Sequence, residues 1–129
     1  MKKLLLLAGL LLSPQSFASC PTITEESAIL TVGNTIIEVV SPRGYPVAQL
    51  FSLQVSACVD NEPWQGKLKL DAKMPSHGHG MNYRPEVTMQ EAGHYQVDGL
   101  MFHMPGQWQL RFDLPGVASK SLLLTVQTD

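Results

Sequence analysis

Along most of this chain apolar and polar residues alternate one for one, the period of a strand with one face buried and one in water. From Lys67 to Met74, Leu68, Leu70, Ala72 and Met74 fall on one side and Lys67, Lys69, Asp71 and Lys73 on the other. From Gln107 to Asp113, Trp108, Leu110 and Phe112 oppose Gln107, Gln109, Arg111 and Asp113. The same period predicts strands over 28–32, 35–40, 48–59, 67–74, 86–90, 93–103, 107–114 and 120–127. Turn residues separate them at Gly33-Asn34, Pro42-Arg43-Gly44, Asn61-Glu62-Pro63, Ala92-Gly93, Pro105-Gly106 and Pro115-Gly116. No stretch of the mature chain carries a helical period. Seven or eight short, half-buried strands spaced by such turns describe an all-β fold, an antiparallel immunoglobulin-like β-sandwich, with a small closed barrel as the competing arrangement.

The N-terminus breaks the pattern. Lys2 and Lys3 precede an unbroken apolar run, Leu4 to Leu12, and Ser13-Pro14 and the small-residue stretch Ser16-Phe17-Ala18 follow it. That order is the signature of a secretory signal peptide over residues 1–18. The apolar run reaches only about 14 Å as a helix, at roughly 1.5 Å per residue, against the ~30 Å of a bilayer core, so no transmembrane segment is expected to be retained. Cleavage after Ala18 leaves Ser19 first. The other route, cleavage before Cys20 with lipidation of the cysteine, is disfavoured by Phe17 at the third position before it. The expected location is periplasmic or otherwise extracytoplasmic, with residues 19–129 forming one β-sandwich domain.

Loss of Lys2 and Lys3 with the leader makes the formal charge of −2 more acidic still, and no basic patch is present, which argues against a nucleic-acid partner. The two cysteines, Cys20 and Cys58, meet an oxidising compartment after export, where an even pair closes a disulfide. Phase supports that pairing. In the run 51–59, Phe51, Leu53, Val55, Ala57 and Val59 take the core phase, which leaves Cys58 on the opposite face, where a passing N-terminal segment can reach it.

The candidate chemistry is concentrated in two segments. Met74, His77, His79 and Met81 fall in Met74-Pro75-Ser76-His77-Gly78-His79-Gly80-Met81, and Met101, His103 and Met104 fall in Met101-Phe102-His103-Met104-Pro105-Gly106. If successive strands are antiparallel, the strand ending at Met74 runs up, 86–90 runs down and the strand ending near His103 runs up again, so both segments reach one pole. Two loops converging on one point can supply ligands from different directions, and the glycines beside His77 and His79 let the backbone turn sharply. Neutral imidazole suits copper, zinc, nickel or iron, whereas a neutral thioether is a poor zinc ligand and a good one for Cu(I). The mixture therefore points to Cu(I). Zinc held by three histidines, with the methionines merely packing, is the other metal reading.

Packing competes with chemistry at each position. Met74 shares its phase with Leu68, Leu70 and Ala72, and Met89 shares its phase with Val87, so both are first of all core candidates. Only one of Met101 and Met104 should face inward, because they occupy opposite phases. His94 follows Gly93 on a short turn and reads as a surface histidine. His77, His79 and Met81 lie in a glycine-rich loop with no evident core to fill. The candidate ligand set is thus His77, His79, Met81, His103 and Met104, with Met74 and Met101 in reserve.

The stretch DAKMPSHGHGMNYRPEV, followed further on by FHMPGQWQLRFDL, resembles the FixH/YtkA-like group of small extracytoplasmic domains. The likeness covers most of the chain beyond the leader and rests on paired MPxHGHGM and FxMPGxW motifs. It implies an immunoglobulin-like sandwich and a role in copper handling or in assembling copper enzymes, with another such protein as partner. FixH proper keeps a transmembrane anchor, which this chain is not expected to do. The functional expectation is an exported protein that holds or transfers Cu(I) without catalysis. The alternative is a structural or interaction module in which the His-Gly-His-Gly loop is only a tight turn. A hydrolase fares badly, for want of a nucleophile elbow, an Asp in an evident orienting position or an oxyanion-loop signature.

Overall fold

The computed structural model describes residues 26–128, together with Gly9, Leu11 and Cys20. The leader reading of residues 1–18 otherwise lies outside the described residues. Among the described residues ten strands form: β1 (Ser27–Val32), β2 (Thr35–Val40), β3 (Phe51–Val59), β4 (Glu62–Pro63), β5 (Lys69–Met74), β6 (His79–Gly80), β7 (Glu86–Glu91), β8 (His94–Leu100), β9 (Gly106–Leu114) and β10 (Ala118–Val126). One sheet runs β1-β2-β3-β8-β7, with β4 added to β3, and the other runs β10-β9-β5-β6. Every pairing between strands is antiparallel. The fold is an antiparallel, immunoglobulin-like β-sandwich in which the two-residue strands β4 and β6 are additions to the eight expected from periodicity.

Alternation dictates what is buried. Leu70, Ala72 and Met74 of β5 face Phe51, Leu53, Val55 and Ala57 of β3 across one core, which Trp108, Leu110, Phe112 and Leu114 of β9 also fill. Leu110 stands opposite Leu122, and Trp108 opposite Leu124, in the β9–β10 ladder. Leu122 and Leu124 are only half-buried, because β10 closes the edge of its sheet, while Val126 is buried.

Three expectations need correction. Met89 is 48 % exposed and not a core residue: β7 is the edge of its sheet, and its register with β8 shifts between Met89 and Glu91. The strand expected over 93–103 ends at Leu100, and the one expected from 48 begins at Phe51. Between them the β3–β8 register shifts, with Phe51 opposite Leu100 but Leu53 opposite Val97. The extra residue on β8 is accommodated at Gly99, whose φ of +79° glycine tolerates without a Cβ penalty.

Cys20 and Cys58 form a disulfide. Cys58 lies in the outward phase, as expected, yet is only 2 % exposed and bonded there to Cys20. Closing a 38-residue separation stabilises the fold by roughly 3–4 kcal/mol on the chain-entropy account. Such a bridge belongs to an oxidising, extracytoplasmic setting. Among the described residues no helix is long and apolar enough to cross a membrane.

Candidate functional site

Antiparallel pairing fixes where the two His/Met segments lie. In the β5–β9 ladder Lys73 stands opposite Gln109, so the end of β5 and the start of β9 share one pole of the sandwich. In the β3–β8 ladder Leu100 stands opposite Phe51, which brings the end of β8 to the same pole. The segments 74–81 and 101–106 therefore converge there, as the sequence pattern requires.

The first segment is a hairpin. Met74 pairs with His79 and Lys73 with Gly80, while the amides of His77 and Gly78 donate to the Met74 carbonyl at 3.2 and 3.0 Å. Gly78, at φ +68°, supplies the left-handed residue that closes so short a loop. The Met81 amide then donates to the Ala72 carbonyl at 3.3 Å. His77 and His79 project into solvent, whereas Met81 is half-buried against the core. Met81 thus has a packing surface that the sequence did not reveal.

The second segment is a turn. The Phe102 carbonyl accepts the Ala48 amide at 2.8 Å, and Trp108 donates its indole Nε1–H to the Met104 carbonyl at 3.0 Å. Phe102 is buried, His103 is half-buried, and Met104 packs partly against the core. Met104 is therefore the one of the Met101–Met104 pair that touches the core, and Met101 is also half-buried. Met74, a core candidate by phase and only a reserve ligand, is fully buried at 0 % exposure, which bears out the core reading.

Three imidazoles meet between the segments. The ring centres of His77 and His79 are 5.6 Å apart, and those of His79 and His103 are 5.2 Å apart. Below them lies Trp108, edge-on to His103 at 5.3 Å and to His79 at 6.3 Å, and stacked on Phe102 at 4.8 Å. The Nδ1 atom of His103 is buried without a hydrogen-bond partner. A buried, unpaired imidazole nitrogen is costly, on the order of 1–3 kcal/mol, and calls for an explanation such as an ion. His94 does not join this cluster: its Nδ1 lies 3.1 Å from the Ser56 hydroxyl, toward the other end of β3.

Among the described residues no group of three or more His, Cys, Asp or Glu side chains is arranged to hold a metal ion. The histidines as they stand do not close a cage by themselves. No carboxylate occurs anywhere from Ala72 to Pro85 or from Gly99 to Phe112, so the two segments themselves offer neutral donors only. A surface groove lined by Leu68, Leu70, Asp71, Arg84, Val87 and Arg111 lies on the open side between β5 and β7, and none of the histidines lines it.

Sequence reasoning placed Trp108 in the core and missed that it touches a histidine from each segment. The available signal was its spacing, four residues beyond Met104 around a Pro-Gly turn.

No family known from other proteins matches this chain, and no curated protein matches it. Among solved structures, a DUF4426 family protein from Pseudomonas aeruginosa PAO1 aligns over 79 % of this chain and 94 % of that one, at 10 % identity and a TM-score of 0.49. A likeness that slight carries no argument about fold or function.

Proposed function

We propose that this is an exported periplasmic protein that holds or transfers Cu(I) through His77, His79, Met81, His103 and Met104, with no catalytic step of its own. The observation that carries the reading is the buried, unpartnered Nδ1 of His103 beside the imidazole of His79, 5.2 Å away between ring centres. Metal–imidazole bonds are about 2 Å, so two nitrogens sharing an ion must come within roughly 4 Å of each other. The donor set is neutral imidazole and thioether, which suits a soft monovalent ion and offers a harder divalent ion no anionic oxygen. The paired MPxHGHGM and FxMPGxW motifs, which resemble those of the FixH/YtkA-like group, support the same reading and make another copper-handling or copper-enzyme assembly protein the natural partner.

The test is a Cu(I) titration of the mature, disulfide-bonded protein against bathocuproine disulfonate, with ascorbate as reductant so that the bridge survives. One ion should bind per chain, and His77→Ala should weaken binding tenfold or more, about 1.4 kcal/mol. The half-burial of Met81 and Met104 against the core supports a second reading, in which the pole is a packed corner of an interaction module. Wild-type protein that leaves all copper with the chelator would establish that reading instead.

A further inference from the structure

The copper site proposed above draws its ligands from two segments that no strand pairing joins directly, since β6 pairs only with β5 and the 101–105 turn lies between β8 and β9. Something must hold the two halves in register. One side chain touches both. The Trp108 indole lies edge-on to His79 of the hairpin at 6.3 Å and to His103 of the turn at 5.3 Å, and its Nε1–H is bonded to the Met104 carbonyl at 3.0 Å. These separations fall in the range of attractive edge-to-face ring contacts.

The indole is itself enclosed. Trp108 is fully buried, stacked on Phe102 at 4.8 Å, and Phe102 is tied through its carbonyl to Ala48 and packed on Phe51 at 5.0 Å. A rigid plate with one donor thus sets the carbonyl of one candidate ligand residue and the ring positions of two others. We infer that Trp108 is the positioning residue of the copper site: by bonding the Met104 carbonyl and abutting His79 and His103, it presets the geometry in which the two segments share one ion. Pre-organisation of this kind removes an ordering cost that the ion would otherwise bear. The inference rests on the copper reading for its purpose, although the positioning itself is a property of the metal-free protein.

Trp108→Phe is the discriminating variant, because it keeps an aromatic ring in the core and deletes the bond to Met104. Phe112→Leu, two positions along the same buried face, serves as the packing control. In metal-free protein, nuclear Overhauser contacts between the His79 and His103 rings should be seen in the wild type and in Phe112→Leu, and should be lost in Trp108→Phe. Cu(I) affinity against bathocuproine disulfonate should fall about tenfold in Trp108→Phe and stay within twofold of wild type in Phe112→Leu, even where the two variants lose equal thermal stability. A Trp108→Phe protein that keeps both the ring contacts and the affinity overturns the inference while leaving copper binding intact. Equal loss of affinity in both variants also overturns it, since general loosening then suffices. If the wild type binds no Cu(I), the copper reading falls, and the ring contacts of the metal-free proteins still decide whether Trp108 positions the two histidines.

Discussion

The two ends of the sandwich carry similar residues and treat them differently. At the end away from the convergent loops, Trp64 donates its indole N–H to the Lys67 carbonyl at 3.0 Å, and Tyr95 donates its hydroxyl to the Gly66 carbonyl at 2.6 Å. The Gly93 amide donates to the Trp64 carbonyl at 2.8 Å, and His94 meets Ser56 at 3.1 Å. Each named polar side chain there has a partner. At the other end the Trp108 indole is likewise satisfied, but His103 Nδ1 is buried without a partner, and the exposed rings of His77 and His79 lie against other imidazoles. A tryptophan and a histidine near a glycine-rich turn therefore do not by themselves mark a site. What separates the ends is whether the imidazole nitrogen has been given something within the protein to bond.

That contrast can be broken in three ways. The largest effect concerns the two tryptophans. Trp108→Ala should lower stability by about 3–5 kcal/mol in urea unfolding, as a large-to-small change at a fully buried position, and Trp64→Ala by distinctly less because Trp64 is half-buried. Equal losses would mean that the two ends are structurally equivalent after all.

The next comparison sets His103 against His94. His94→Ala should leave Cu(I) affinity unchanged and reduce stability by about 0.5–1.5 kcal/mol through the lost Ser56 contact. His103→Ala should do the reverse, weakening Cu(I) binding tenfold or more while shifting the metal-free melting temperature less than His94→Ala does. Calorimetry and chelator competition on the same two proteins decide it, and a crossed result would remove the distinction drawn between satisfied and unsatisfied imidazoles.

The smallest effect concerns a carboxylate whose partners are present. Asp98 lies near the same pole, on the outer face, and its carboxylate accepts from the Ser52 hydroxyl at 2.6 Å and from the Gln96 amide at 3.1 Å. These bonds, the one from Ser52 foremost, hold its pKa below the ordinary 3.8. A depressed carboxyl contributes stability that is present above its unfolded pKa and is lost as pH falls through the folded value. Ser52→Ala should accordingly lower stability slightly at neutral pH and leave it unchanged in strong acid, which flattens the acid limb of the stability curve below about pH 4. An acid limb identical in both proteins would show that the Ser52 bond contributes nothing in solution.

Alternation by itself determined the eight long strands, the face that most of them bury and the outward phase of Cys58, and with antiparallel succession of short-linked strands it brings the two His/Met segments to one pole. All of these follow from a period of two and from turn residues, which are local properties of the chain. Only the tertiary structure decided the rest. Met89 has the phase of a core residue and is exposed, because phase does not reveal that β7 lies at the edge of its sheet. Gly99 carries a bulge that moves Leu100 and Phe102 into the core phase, so no count from Tyr95 or Val97 could say which of Met101 and Met104 turns inward. Met81, in a loop with no apparent core to fill, finds one because β6 folds back along β5. The contact of one indole with histidines from two separate segments, and the nitrogen left without a partner between them, exist only once the strands are paired. Periodicity assigns each residue a side of its own strand, and which residues lie across from it is set by elements distant in sequence.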